Sequence, residues 1–185
     1  MTIIGITGTL GAGKGTIVEY LVEKKGFAHF SVREYLLEEI HRRGMAENRD
    51  SMFNLANELR AQHGPAYVVD QLYLRAAQSS ANCVIESIRT PGEIRSLREK
   101  GDFYLFAVDA DPKIRYDRIH IRRSETDKVT FETFVENEAR EMNTDDPNKQ
   151  NLSACIAQAD FIFTNNGNRD ALFLNLEEAL KQIIA

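Results

Sequence analysis

With 185 residues, 43% of them hydrophobic and 28% charged, the chain has the composition of one globular domain able to bury a substantial core. No apolar run is long enough to span a bilayer, and residues 1–30 lack the basic start and cleavage pattern of a signal peptide, so no membrane partner is expected. The formal net charge of −5 argues against a general nucleic-acid surface, and any anionic ligand must be held by local basic groups.

In chain order, "TIIGI" (2–6) reads as a strand, then a glycine-rich loop, then a helix with Ile17, Val18, Leu21 and Val22 on one face. "AHFS" (28–31) is a second strand, and "RRGMAENRDS" (42–51) a surface loop. Met52, Leu55, Ala56 and Leu59 line a helix that ends at Gly64-Pro65. "NCVIES" (82–87), "FYLFAVD" (103–109) and "DFIFT" (160–164) are further strands, separated by helices and by the loops 122–128 and 143–149. Phe131, Val135 and Ala139 form one helical stripe; Leu172, Leu176, Leu180 and Ile183 form the last. Strands that are mostly continuously apolar, alternating with helices, predict an α/β three-layer sandwich: a parallel five-stranded sheet with helices on both faces and right-handed crossovers. Ligands in such folds bind beyond the carboxyl ends of the strands. Cys83 and Cys155 form no CxxC pair and read as reduced core residues, which favours the cytoplasm.

The loop after the first strand, "GTLGAGKGT" (8–16), carries the strongest chemical signal. Gly8-x-x-x-x-Gly13-Lys14 fits a phosphate-binding P-loop, whose glycines let successive N–H groups approach phosphate oxygens. The following helix directs its positive end at the same oxygens, and Lys14 adds a mobile cation. Gly11, Ala12, Gly15 and Thr16 complete the cradle. Two further groups stand near predicted strand ends: Glu86 and Arg89 in "ESIRT", and Arg115, Arg118 and Arg122 on one face of the helix "DPKIRYDRIHIRR". Read without a ligand, Glu86 caps the next helix and the arginines form a solvated face. No histidine among His29, His41, His63 and His120 has metal-ligand spacing.

The "GxGKGT" ending resembles adenylate kinases and related nucleoside monophosphate kinases. That resemblance implies ATP with Mg²⁺ held largely through water, and places Thr16 on the nucleotide phosphates. "VIESIRT" (84–90) resembles the family's Asp-Gly-x-Pro-Arg segment, implying that Arg89 grips the acceptor phosphate and Glu86 orients the Mg²⁺ water shell. By the same likeness Arg118 and Arg122 lead into a lid and neutralise the transferred group, and Arg140 either closes on the phosphates or pairs with Glu136. The closing "ADFIFTNNG" resembles dephospho-coenzyme A kinases, where Asn165, Asn166 and Gly167 would border the adenine; Asn168 also reads as a helix N-cap. The whole order resembles P-loop kinase-like proteins of archaea and the kinase-like domain of some bacterial deoxycytidylate deaminases.

Departures are visible too. Leu37 stands where adenylate kinases place an acceptor arginine, and Arg33 or Arg60 would have to supply that charge. The expectation is one kinase domain over 1–185: a core of 1–31, 82–121 and 155–185, an acceptor-binding insert over 32–79, and a lid over about 122–150. It would transfer the γ-phosphoryl of ATP to a nucleoside or deoxynucleoside monophosphate. The alternatives are a dephospho-coenzyme A kinase, and a non-catalytic nucleotide sensor acting on a partner such as a deaminase; a homodimer stays open.

Overall fold

A computed structural model describes residues 1–79, 81–122 and 129–184, with Arg122 described by its main chain alone. Five parallel strands, β1 (Ile3–Gly8), β2 (Ala28–Ser31), β3 (Cys83–Glu86), β4 (Phe103–Asp109) and β5 (Phe161–Thr164), lie in the order β2-β3-β1-β4-β5. All four strand pairs are parallel, as the continuous apolar runs predict. Every residue of the central β1 is buried.

Side chains alternate across β1 and seed two cores. Ile3 points to the layer of α2 (Val32–Arg42), α3 (Arg49–His63), α4 (Tyr67–Ala77), α5 (Pro91–Glu99) and α8 (Leu152–Ala157). Ile4 and Ile6 point to the opposite layer, α1 (Lys14–Lys25) and α9 (Arg169–Ile183). The sheet is thus the middle layer of three. α6 (Pro112–Arg122) and α7 (Phe131–Met142) rise from the carboxyl edge of the sheet. Among the described residues no helix is long and apolar enough to cross a membrane.

Helix starts follow local chemistry. Ser31, Asn48, Thr90, Thr130, Asn151 and Asn168 each cap the following helix by accepting a main-chain N–H. The cap of α5 is Thr90, in a reciprocal box with Glu93, so Glu86 is freed from the capping role.

Two sequence stripes are corrected. Val22 of α1 is exposed, and Ile17, Val18 and Leu21 alone face the core. In α7, Phe131, Val135 and Ala139 face outward, and Phe134 is the buried residue. The reason is that the inward face of α7 also carries Glu138 and Glu141, whose carboxylates meet arginines there, so apolar spacing marks the wrong side.

Candidate active site

The loops that follow β1, β2, β3 and β4 open on one edge of the sheet. A cavity of about 800 Å³ occupies that edge, within the range that takes a small-molecule ligand. One end is lined by Gly11, Gly13, Lys14, Gly15 and Thr16, the other by Arg33, Arg49, Phe53, Arg60, Arg89 and Glu141, with Glu86, Ser87 and Arg118 also on its wall.

The P-loop shape is enforced from behind. Gly8 has φ +135°, and a Cβ there would lie 2.0 Å from the carbonyl oxygen of Val108. Gly13 has φ +109°, and a Cβ would lie 2.4 Å from Asn165 Nδ2, which donates to the carbonyl of Ala12 at 2.7 Å. Only glycine tolerates both the left-handed backbone and that approach. Ala12 itself is buried in the core and Gly8 closes the strand, so neither lines the cavity. Lys14 Nζ donates to the carbonyls of Gly8 and Thr9 at 2.9 and 2.8 Å, arching over the loop it serves. Arg115 is buried beneath. Its guanidinium donates to Ala110 O, Leu10 O and both oxygens of Glu138, so it braces the loop and does not enter the cavity.

Glu86 sits at the end of β3. It accepts from Ser31 Oγ at 2.9 Å, and His29 Nε2 stands 3.4 Å away without the alignment of a hydrogen bond. Burial pushes the Glu86 carboxyl up, but contact with His29, the Ser31 hydroxyl and the charge of Lys14 outweigh it and hold it below the usual range. The same contact raises the His29 imidazole. Next in the chain Ser87 adopts φ 70°, a left-handed conformation rare for a residue with a side chain.

At the far end Glu141 joins Arg89 and Arg49. Arg89 Nη1 donates to Glu141 Oε2 at 3.0 Å, and Arg49 Nη2 donates to Oε1 at 2.7 Å. Burial alone would raise Glu141, but the two guanidinium charges keep its carboxyl low and ionised. Arg60, expected on the acceptor, is 1% exposed and paired with the fully buried Glu93 through Nε and Nη2. Its Nη1, Arg118 Nη1 and Gln150 Oε1 are buried without a hydrogen-bond partner, and all three residues line the cavity. Polar atoms left so are costly unless a ligand or water meets them.

Thus Lys14, Thr16, Glu86, Arg33, Arg60, Arg89 and Arg118 share one cavity. Asn166 and Gly167 lie outside it; Asn166 Oδ1 accepts from Asp111 N and ties β5 to the start of α6. The side chain of Arg122 falls outside the described residues. Arg140 stacks its guanidinium over Phe53, 5.3 Å from the ring centroid. Arg49, Glu141 and Gln150 carry no sequence motif and emerge only from the fold. Among the described residues no group of three or more His, Cys, Asp and Glu could hold a metal by itself. A carboxylate beside a phosphate cradle nevertheless suits Mg²⁺, which is bound through one or two carboxylates, substrate phosphates and water. Glu86 and Thr16 offer that pairing. Both thiols are inert: burial pushes Cys83 to about 11 and Cys155 to about 12.

Residues 4–144 match the AAA domain family. A UPF0200 protein of Methanococcus maripaludis is 32% identical over 188 residues, covering 100% of this chain and 98% of the relative. Among solved structures, TT1252 from Thermus thermophilus superposes with a TM-score of 0.65 at 20% identity, covering 100% of this chain and 98% of that one. A gluconokinase from Sinorhizobium meliloti superposes at 0.62 with 12% identity, covering 98% and 92%. The fold is therefore the parallel P-loop α/β sandwich that these structures share.

Proposed function

We propose that this chain, which belongs to the UPF0200 family and carries an AAA domain, is an ATP-dependent phosphotransferase acting on a nucleoside or deoxynucleoside monophosphate. One observation carries the reading: a single cavity joins the P-loop to Arg89 and Arg118, so a donor and an anionic acceptor would meet within it. Phosphoryl transfer requires in-line positioning and positive charge around the moving group, with little covalent work for the protein. Lys14 and the loop amides would hold the donor's phosphates, Arg89 the acceptor's. Arg118, which lines the same cavity and has Nη1 without a hydrogen-bond partner, would neutralise the group in transfer. Mg²⁺, held through water by Glu86 and Thr16, would neutralise charge on the donor phosphates. Residues 32–79 would form the acceptor side, and about 122–150 a lid that excludes water.

An acceptor phosphate is already an anion, so no general base is required. A hydroxyl acceptor such as dephospho-coenzyme A is the second reading, favoured by Glu86, a carboxylate kept ionised on the cavity wall. Purified protein incubated with ATP–Mg²⁺ and a panel of NMPs, dNMPs and dephospho-coenzyme A, with ADP formation followed, separates the two. Turnover that depends on one acceptor and disappears in Lys14→Ala is the expected result. Tight nucleotide binding with no turnover on any acceptor would replace the enzyme with a nucleotide sensor.

A further inference from the structure

Glu141 occupies an unusual position for a carboxylate. Each of its oxygens accepts from a different guanidinium, Oε1 from Arg49 at 2.7 Å and Oε2 from Arg89 at 3.0 Å. All three side chains line the cavity and keep 12–30% of their surface open, so the cluster belongs to the cavity wall and not to the core. Two guanidinium groups that each donate to one oxygen of a carboxylate can donate equally to two oxygens of a phosphate, and a phosphomonoester brings more charge and a third oxygen. Arg60, buried against Glu93, lines the same cavity and has Nη1 without a partner, a further unmatched donor in the wall.

We infer that Arg49 and Arg89 form a two-guanidinium subsite for a phosphomonoester, and that Glu141 fills it as an internal stand-in which the ligand displaces. The inference rests on the reading above that this cavity takes a phosphorylated acceptor, and it adds both a ligand-gripping residue, Arg49, and a competitor. Glu141 lowers affinity because an incoming dianion must first remove an ion already paired twice. The competition also selects. A singly charged or neutral ligand offers the arginines nothing that Glu141 does not, whereas a dianion does.

The test uses the full chain with its P-loop filled by ADP–Mg²⁺, titrated with inorganic phosphate and followed by ³¹P NMR. The same series in a Lys14→Ala background removes binding at the loop. Glu141→Gln keeps the shape and loses the charge, and should bind phosphate about tenfold tighter, equal to ~1.4 kcal/mol. Arg49→Gln should bind about tenfold more weakly, and Arg49→Gln/Glu141→Gln should lose the gain. A melting curve accompanies each variant. If Glu141 only supports the fold, Glu141→Gln melts lower and binds phosphate no tighter, which overturns the inference; unchanged affinity in Arg49→Gln does the same. The two readings fail separately. Phosphate binding that follows this series without turnover on any acceptor removes the kinase and keeps the subsite, and turnover without the series does the reverse.

Discussion

Replacing Glu93 with alanine tests the support beneath the acceptor end of the cavity. Glu93 is fully buried and its carboxylate is saturated. Oε1 accepts from Arg60 Nε and Nη2 at 3.2 and 3.0 Å, and Oε2 accepts from the main-chain N–H groups of Arg89 and Thr90 at 2.6 and 2.9 Å. The substitution strands the Arg60 guanidinium, itself 1% exposed, without a counter-charge. Breaking a buried pair from one side costs about 3–5 kcal/mol. A domain of this size loses roughly 2–4 °C per kcal/mol, so Tm should fall by roughly 6–20 °C. Arg60→Met/Glu93→Met, which removes both charges and fills the volume, should recover part of that loss, the N–H groups of Arg89 and Thr90 still lacking their acceptor. Calorimetric melts of the three proteins give the answer. A Glu93→Ala melt within about 2 °C of wild type, or a double variant no better than the single one, refutes the reasoning.

Gly13→Ala should reduce ADP affinity by more than about tenfold, because its Cβ would lie 2.4 Å from Asn165 Nδ2 on a left-handed backbone. Gly15→Ala, whose Cβ meets nothing within 4 Å, is the control for stability, and equal melting losses in the two would refute the packing argument. His29→Gln should cost stability in a pH-dependent way. The raised His29 pKa contributes fully below its ordinary value near 6.5 and fades as pH rises through the raised one; the lowered Glu86 contributes above about 4.3 and fades as pH falls. Denaturant melts at pH 5.5 should therefore separate wild type from His29→Gln more than melts at pH 9, and an equal gap at both would dismiss the ion pair. Where α7 shifts as a unit, Glu138→Gln should raise phosphate affinity by ~0.5–2 kcal/mol, at least about twofold, and the titration used for Glu141→Gln measures it; unchanged affinity means that the Glu141 side chain moves alone.

The parts of this molecule most legible in its sequence are those whose chemistry is contiguous. Nine residues, Gly8 to Thr16, contain the whole phosphate cradle, and the central strands β1, β3 and β4 show as mostly apolar runs because both faces of the sheet are covered there. The sequence of α7 misleads for the opposite reason. Its inward face is partly ionic, so a search for apolar periodicity selects Phe131 and Val135, which face water. Arg60 has the composition of a ligand but is mostly consumed by Glu93, 33 positions away. The box Thr90-x-x-Glu93 was visible in the chain and signals where that carboxylate is anchored. Arg49 and Gln150 lie at loop margins with no motif, and tertiary proximity alone brings them to the cavity.

The two carboxylates of α7 make that helix a strut between the ends of the cavity. Glu138 and Glu141 are three residues apart and so share a helix face. Glu138 holds Arg115, which in turn holds the carbonyls of Leu10 and Ala110 behind the P-loop. Glu141 holds Arg49 and Arg89. A ligand that dislodges Glu141 by rotating its side chain leaves Arg115 untouched, and the two ends remain independent. If α7 moves as a unit, the Glu138 contact is pulled as well, and arrival of an anion at one end loosens the brace on Leu10 at the other. The Glu138→Gln titration divides these cases: removing the distant contact can ease displacement of Glu141 only when the helix itself must shift.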